Sequence, residues 1–589
     1  MFNKYYQDEL AYLRQLGKEF SEAYPALAPM LADRGSDPDV ERLLEGVAFL
    51  TGRIRQKLDD EVPELILAIA GLLFPHLTRP LPGATIIELE PLPNVVRERK
   101  MVPRGSEFAS IPVDGTPCRF TSCTDCEVVP WSISDARLEA LPDGGQQLRI
   151  DFRCPSGVAV EAAAPERLRL HFTGDPRTSL GLLHWIHEHT RDVALIEANK
   201  LGGREQELSL GKRAVTPVGF DEEEELLPYG DLAFPGFRLL EEYYVLPQKF
   251  AFIDISGTRR LAELKPEIQD FAIAIRFDEP LTGAPQVTRD SVKLHCFPAI
   301  NLFKTTAEPI RLNHNREQFL VRPAGLAPGA GEVYQILGVE AITRGASERV
   351  QVPSFFDFTS TGGTGATGQV YYSTHLRPAV VGEGVDMMIS FGTPENSGVL
   401  PQADLLSIDL LATNQRLASA LRVGELRVPT PSSPAFSKFK NLSAVTTHVP
   451  PPLGRDLHWR VTAHAAMNLR SLAEKNTLRA MLGVYNLHGL VDRQAARANE
   501  LRIQAISDVK VTPQERLYRG APVRGLRVDI YLDESGFTGD GDLFLFGAIL
   551  DRLFATYVSM NSFTTTTVHG VQSKLRFEWP ARSGNLTIL

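Results

Sequence analysis

Three groups of residues have the types and spacing that could do chemistry. The first is Gly363-Thr364-Gly365-Ala366-Thr367-Gly368, which has the letter pattern of a dinucleotide-binding turn. That turn works when a strand precedes it and a helix opens within it, so that the helix N-terminus meets a pyrophosphate. Here Ser360-Thr361-Gly362 precedes and the strand-like Gln369-Val370-Tyr371-Tyr372 follows, so the segment reads as a loop between strands. The second group is His184, His187 and His189, types that ligate zinc. A helix would bring His184 and His187 together and a strand would bring His187 and His189 together, but neither gathers all three. Amphipathic packing with solvated histidines is the expectation. The third group is Cys118, Cys123 and Cys126, one CxxC pair and a cysteine five residues earlier. No second CxxC completes a tetrahedral site, so ordinary reduced cysteines in β structure are expected.

Two acidic stretches are weaker still. Asp221 to Glu225 is a run of five carboxylates and reads as a solvated loop, because like charges repel. Asp540-Gly541-Asp542 lacks the acceptors of a calcium loop and reads as the cap of a helix starting near Leu543. No phosphate loop GxxxxGK[ST], zinc helix HExxH or nucleophile elbow GxSxG occurs. No catalytic residue, cofactor or metal ligand is assigned.

The elements that would position these residues fall into three styles. Up to about residue 84 the pattern is helical. Leu10, Leu13, Leu16 and Phe20 make one apolar stripe, and Val40, Leu43, Leu44, Val47, Ile54 and Leu58 a second, behind a start signal at Ser36-Asp37-Pro38. A third helix is expected to open at Pro63 and run through Leu65 to Phe74. From Thr85 the period becomes two, with strands expected at 85–89, 148–152, 168–172, 250–255, 292–297, 319–321, 370–372 and 405–411, and a short helix over 237–246. The last stretch mixes helices at 478–485, 491–506 and 546–557 with a strand through Leu526, Val528, Ile530 and Leu532. The fold class is α+β, multi-domain: a helical region over 1–84, a first β-rich domain over 85–215, a middle β-rich domain over 216–425 and a C-terminal α+β domain over 426–589.

Composition excludes several classes. A chain of 589 residues has room for several domains, and 43% hydrophobic with 23% charged residues is ordinary for a folded protein. Lys and Arg number 62 against 72 Asp and Glu, a net charge of -10, which disfavours nucleic acid as a partner. The longest apolar run, Leu65 to Phe74, is half of what crosses a bilayer, so the chain is not expected to span a membrane. The opening residues show no apolar export segment, and five cysteines form no disulfide framework, so a cytoplasmic protein is expected.

Longer stretches carry a family resemblance. Asp37 to Leu50, Lys57 to Leu65 and Leu73-Phe74-Pro75-His76 resemble the N-terminal region of the TssF family, also called ImpG or VasA. The likeness continues in order through Val102-Pro103-Arg104-Gly105, Cys118-Arg119-Phe120-Thr121, Leu226-Leu227-Pro228-Tyr229, Phe237 to Tyr244, Pro247-Gln248-Lys249-Phe250, Pro298 to Phe303, Ala412-Thr413-Asn414, Pro429-Thr430-Pro431, Phe544 to Gly547 and Tyr557 to Phe563. It covers essentially the whole chain. It departs at Ala412, where the family often has Cys, and at the His184 to His189 segment, which matches nothing in the family.

The resemblance implies a structural baseplate wedge subunit of the type VI secretion system and no enzyme activity. It implies two such copies around one TssG, joined by TssK and TssE, with other copies of the subunit as neighbours. The baseplate would hold the VgrG spike, support the Hcp tube and contractile sheath, and dock on the inner-membrane complex. By the same analogy Leu10, Leu13, Leu16, Phe20, Val40, Leu43 and Val47 are candidates for a helical bundle with the partner. Phe546, Ile549, Leu553 and Phe554 are candidates for contacts between copies. The alternatives are a soluble β-rich module that binds an extended peptide by strand addition, or a metal-dependent β-sandwich enzyme using the histidines.

Overall fold

A computed structural model describes residues 2–24, 38–92, 95–142, 144–197, 206–229, 235–264, 270–281, 286–312, 316–343, 349–355, 370–379, 384–393, 399–453, 460–461, 472, 474–518 and 521–584. They fall into two units, Met1–Phe74 with Gly454–Thr462, and Pro75–Leu453 with Ala463–Leu589.

The first unit is a pair of helices, α1 (Phe2–Ala23) and α2 (Pro38–Leu73). Leu10 of α1 is buried, as are Ala48 and Gly52 of α2, and Arg14 reaches Glu41 at 2.7 Å. The expected second and third helices are one continuous helix of 36 residues. Pro63 removes one backbone hydrogen bond, but strong helix formers flank it on both sides, so the helix continues through it. The expected cap at Ser36-Asp37 lies outside the described residues.

The second unit is built mostly of antiparallel sheets. Its six-stranded sheet runs in the order Leu426–Val428, Glu107–Val113, Thr116–Ser122, Cys296–Ile300, Ala84–Pro91, Ser437–Asn441. A five-stranded sheet has Asp270–Phe277 at its centre, between Thr190–Glu197 and Gln146–Arg153. A four-stranded sheet pairs Phe252–Ser256 with Arg167–Phe172. These sheets join strands from either side of the expected boundaries at 215/216 and 425/426, which therefore do not divide the fold. Alternation tells which face of a strand is buried and not which distant strand lies beside it. The expected strand at 292–297 is two, Val292–Lys293 and Cys296–Ile300, broken at His295 with φ 55°.

Among the described residues, five further helices of eight or more residues belong to this unit: α3 (Pro176–His189), α4 (Pro235–Val245), α5 (Lys475–Val484), α6 (Arg493–Gln504) and α7 (Asp540–Thr556). The C-terminal sheet pairs Ala521–Leu532 in parallel with Phe563–Gly570, and α7 is the crossover between them. Along α7 nearly every side chain is buried, because the helix lies between that sheet, α3 and α4.

Candidate functional site

The chemistry-bearing residues are taken up by the interior. His184 and His187 both lie on α3. His184 packs between the rings of Phe544 and Phe577, at 5.1 and 4.9 Å, and burial pushes its pKa down to about 4. His187 is held down to about 4 by the same cause and faces Phe544. His189 stacks on Trp185 at 4.2 Å and bonds Asp278 through Nδ1 at 3.0 Å. The three point to different partners. Solvated histidines were expected, and His184 is instead a buried neutral ring. Among the described residues no group of three metal-capable side chains converges.

The cysteines are likewise core. Cys118 and Cys126 share one hydrophobic cluster and Cys123 lies in another, so the CxxC pair is split between two cores. Burial raises the thiols to about 11 for Cys118 and about 12 for Cys123 and Cys126, and all five cysteines of the chain are free and buried. The glycine-rich segment at 363–368 lies outside the described residues.

The acidic stretches differ from expectation in part. Glu222–Glu224 is a turn of 3-10 helix; Asp221, Glu222 and Glu223 are exposed, as expected of a solvated stretch, while arginines from three directions engage the half-buried Glu224 and Glu225. Arg104 meets Glu225 at 2.6 Å, Arg169 meets Glu224 at 2.9 Å, and Arg238 lies 3.8 Å from Glu225. The last helix starts at Asp540 rather than Leu543, with Gly539 as its N-cap. Asp542 is buried inside it and accepts from Tyr243 Oη at 2.9 Å, Arg502 Nε at 3.0 Å and the Thr538 amide at 3.1 Å. One carboxylate thus ties α4, α6 and α7 together.

A second buried node was missed in the sequence. On α4 the carboxylate of Glu242 accepts the amides of Leu226 and Leu227, at 2.7 and 3.1 Å, and pairs with Lys249. Its neighbour Glu241 bonds the hydroxyl of Tyr229. Burial raises Glu241 to about 8 and lowers Lys249. Glu241-Glu242 inside an otherwise apolar helix was the available signal, since buried charges need partners. The segments 226–229, 237–244 and 247–250, which lie apart in the sequence, meet at this node.

An apolar stripe stays open to solvent on α2. On α2 the side chains Leu43 (69% exposed), Val47, Leu50 (63%) and Ile54 (60%) repeat at steps of four, three and four, the spacing of a coiled-coil seam. Ala48 and Gly52 are buried and Glu41, Leu44 and Thr51 half-buried, on a second stripe about 120° away at 100° per residue. On α1, Leu10 is buried and Leu13 half-buried, while Tyr12, Leu16 and Phe20 are exposed, Phe20 stacking on Tyr24 at 5.0 Å. Val40 is half-buried. At the other end of the chain the candidates are corrected: Phe546, Ile549, Leu553 and Phe554 are each fully buried in their own unit. Their stripe packs on this chain's α3, α4 and C-terminal sheet and is not free for a second copy.

Ionisable residues tied up in the interior and an uncovered helical seam define a structural subunit of a larger assembly. The sequence matches the family described as "Type VI secretion system, TssF" over residues 1–586, and the chain belongs to that family. It is a baseplate component of the type VI secretion system. Type VI secretion system component TssF1 of Pseudomonas aeruginosa is 27% identical over 639 aligned residues, 99% of this chain and 98% of that protein. A chain of the TssK-TssF-TssG baseplate subcomplex, solved by cryo-electron microscopy, superposes with a TM-score of 0.76 at 29% identity, covering 93% of this chain and 99% of that one. A chain of the type VI secretion baseplate complex gives 0.59 at 26% identity over the whole of both.

Proposed function

We propose that this chain is a wedge subunit that enters a helical bundle with a TssG-type partner through α1 and α2, two copies to each partner. The observation that carries the reading is the exposed apolar stripe of α2, Leu43, Val47, Leu50 and Ile54. A helix with two apolar stripes about 120° apart needs neighbours on both sides, and α1 supplies one. The similar solved chain comes from a subcomplex of TssK, TssF and TssG, which supports TssK and TssG as partners here. TssE, the VgrG spike, further copies of this chain and the inner-membrane complex complete the assembly, whose role is to hold the spike and support growth of the Hcp tube and sheath. No helix among the described residues is long and apolar enough to cross a membrane, which fits recruitment to the inner membrane's cytoplasmic face through other proteins.

The test is co-expression of the Leu43→Asp, Leu50→Asp double variant with the TssG-type protein encoded beside it. Wild-type chain is expected to purify as a complex heavier than one-to-one by light scattering, and the variant as a folded chain without its partner. Retained binding by the variant would remove the seam from the interface.

A further inference from the structure

The described residues of 303–413 make sheets only with one another. Phe303–Thr306, Leu405–Thr413, Glu332–Ile342 and Arg349–Gln351 form one sheet, with Ile310–Arg311 beside it. Gln318–Val321, Val385–Gly392 and Tyr371–Pro378 form the other. Between the two lies a core that includes Phe319, Val339, Ile389, Leu406 and Leu410 and, among the described residues, contains none from outside 303–413. The six-stranded sheet of the body, by contrast, mixes strands from Ala84–Pro91 to Ser437–Asn441. This lobe enters and leaves through adjacent strands, with Phe303 paired to Ala412.

The base of the lobe is polar and fully buried. Asn301 Oδ1 accepts the Thr413 hydroxyl and the Asn414 amide, both at 2.8 Å. Asn301 Nδ2 donates to Asn414 Oδ1 at 2.9 Å and to the Arg119 carbonyl at 2.7 Å, and the Arg119 amide donates to Asn414 Oδ1 at 3.0 Å. Asn414 Nδ2 reaches the carbonyl of Ala330 at 3.4 Å. A second tether joins Glu332 of the lobe to His448 of the body, 3.1 Å apart and both buried. Tyr334 adds an apolar plug, packed in the body's core under the guanidinium of Arg79. Immediately after the node, Gln415 has φ 52° and ψ -133°, a backbone conformation that glycine favours.

We infer that residues 303–413 are an inserted, self-contained β-sandwich whose orientation on the body is set by the Asn301–Thr413–Asn414 node, with Glu332–His448 as a second stop. Apolar contact at Tyr334 is non-directional and holds the lobe on; hydrogen bonds are directional and give it its angle. The strained Gln415 is held in place by the same node, through its amide to the Thr413 hydroxyl at 3.3 Å. Loosening the node therefore frees the lobe to re-orient without unfolding it.

The full-length protein tests this directly. All five native cysteines are buried, so cysteines introduced at Val350 on the lobe and Met101 on the body, both exposed, take spin labels selectively. In the isosteric Thr413→Val variant the interlabel distance distribution is expected to broaden or shift relative to wild type. Amides at 302–304 and 411–415 should exchange with deuterium about tenfold faster, while those of 385–392 and 405–410 keep their wild-type rates. Asn301→Ala is expected to act in the same direction and more strongly. If Asn301→Ala does not fold, Thr413→Val decides alone. An unchanged distance distribution overturns the inference, and so does deuterium exchange that rises equally through the lobe's own strands.

Discussion

His184 carries a pH signature of its own. Its folded-state pKa is lowered to about 4 from 6.5 by burial against Phe544 and Phe577. The unfolded chain therefore takes up a proton below about 6.5 that the folded chain refuses until about 4. Its stabilising contribution is full above pH 6.5 and is lost as pH falls through 4, on the order of 3 kcal/mol in all. His184→Phe should flatten the fall in melting temperature between pH 7 and pH 4. Glu241 has the opposite sign: raised to about 8 from 4.5 by burial, its contribution is full below about 4.5 and lost as pH rises through 8. Glu241→Gln should thus gain melting temperature over wild type at pH 9 and differ little at pH 5. Asp542→Ala leaves the buried Tyr243 hydroxyl without its acceptor and the half-buried Arg502 with only Asn499, and should destabilise by about 3–5 kcal/mol, measured by denaturant titration.

Among the elements, α3 and α7 depend on one close approach. A Cβ at Gly541 would sit on the carbonyl of Leu180, backbone against backbone, so neither side can give way by changing a rotamer. Gly541→Ala should separate the helices at a cost of about 1–3 kcal/mol, seen as a lower melting temperature. The seam on α2 is the reverse case. Leu50 is mostly exposed, so Leu50→Asp should change the stability of the isolated chain by less than about 0.5 kcal/mol while removing its partner in co-purification. Stability and assembly separate cleanly because the two stripes of α2 are separate surfaces. The buried stripe Phe546, Ile549, Leu553 and Phe554 has the same apolar periodicity and the opposite fate. Period shows that a helix has an apolar face, and only the tertiary structure shows whether the chain itself covers it.

For the whole molecule, charge is concentrated at buried joints. Carboxylates and guanidinium groups that would stand out in an active site are spent on joints: Asp542 among three helices, Glu242 with Lys249 between two loops and a helix, and Glu224 and Glu225 among three arginines. A baseplate component transmits position, and joints of this kind fix position because their hydrogen bonds are directional. Mass measurement by light scattering on the wild-type chain co-expressed with its TssG-type neighbour should give more than one copy of this chain per partner. A strictly one-to-one complex would contradict the two-copy wedge.

The sequence alone determined the alternation of helical and strand segments, the absence of a recognisable catalytic motif, and family membership through motifs spread over the whole chain. These are local or linear properties, carried by periodicity and by residue order. Tertiary structure decided that 38–73 is a single helix, that the sheets interleave distant strands, and that His184, Cys123 and Asp542 are interior. It also decided which apolar stripe is covered. Each of these depends on partners far away in sequence, such as Phe544 for His184, Tyr243 for Asp542 and Arg104 for Glu225. A single chain read along its length does not name those partners, because a buried residue's environment is set by what the fold brings to it.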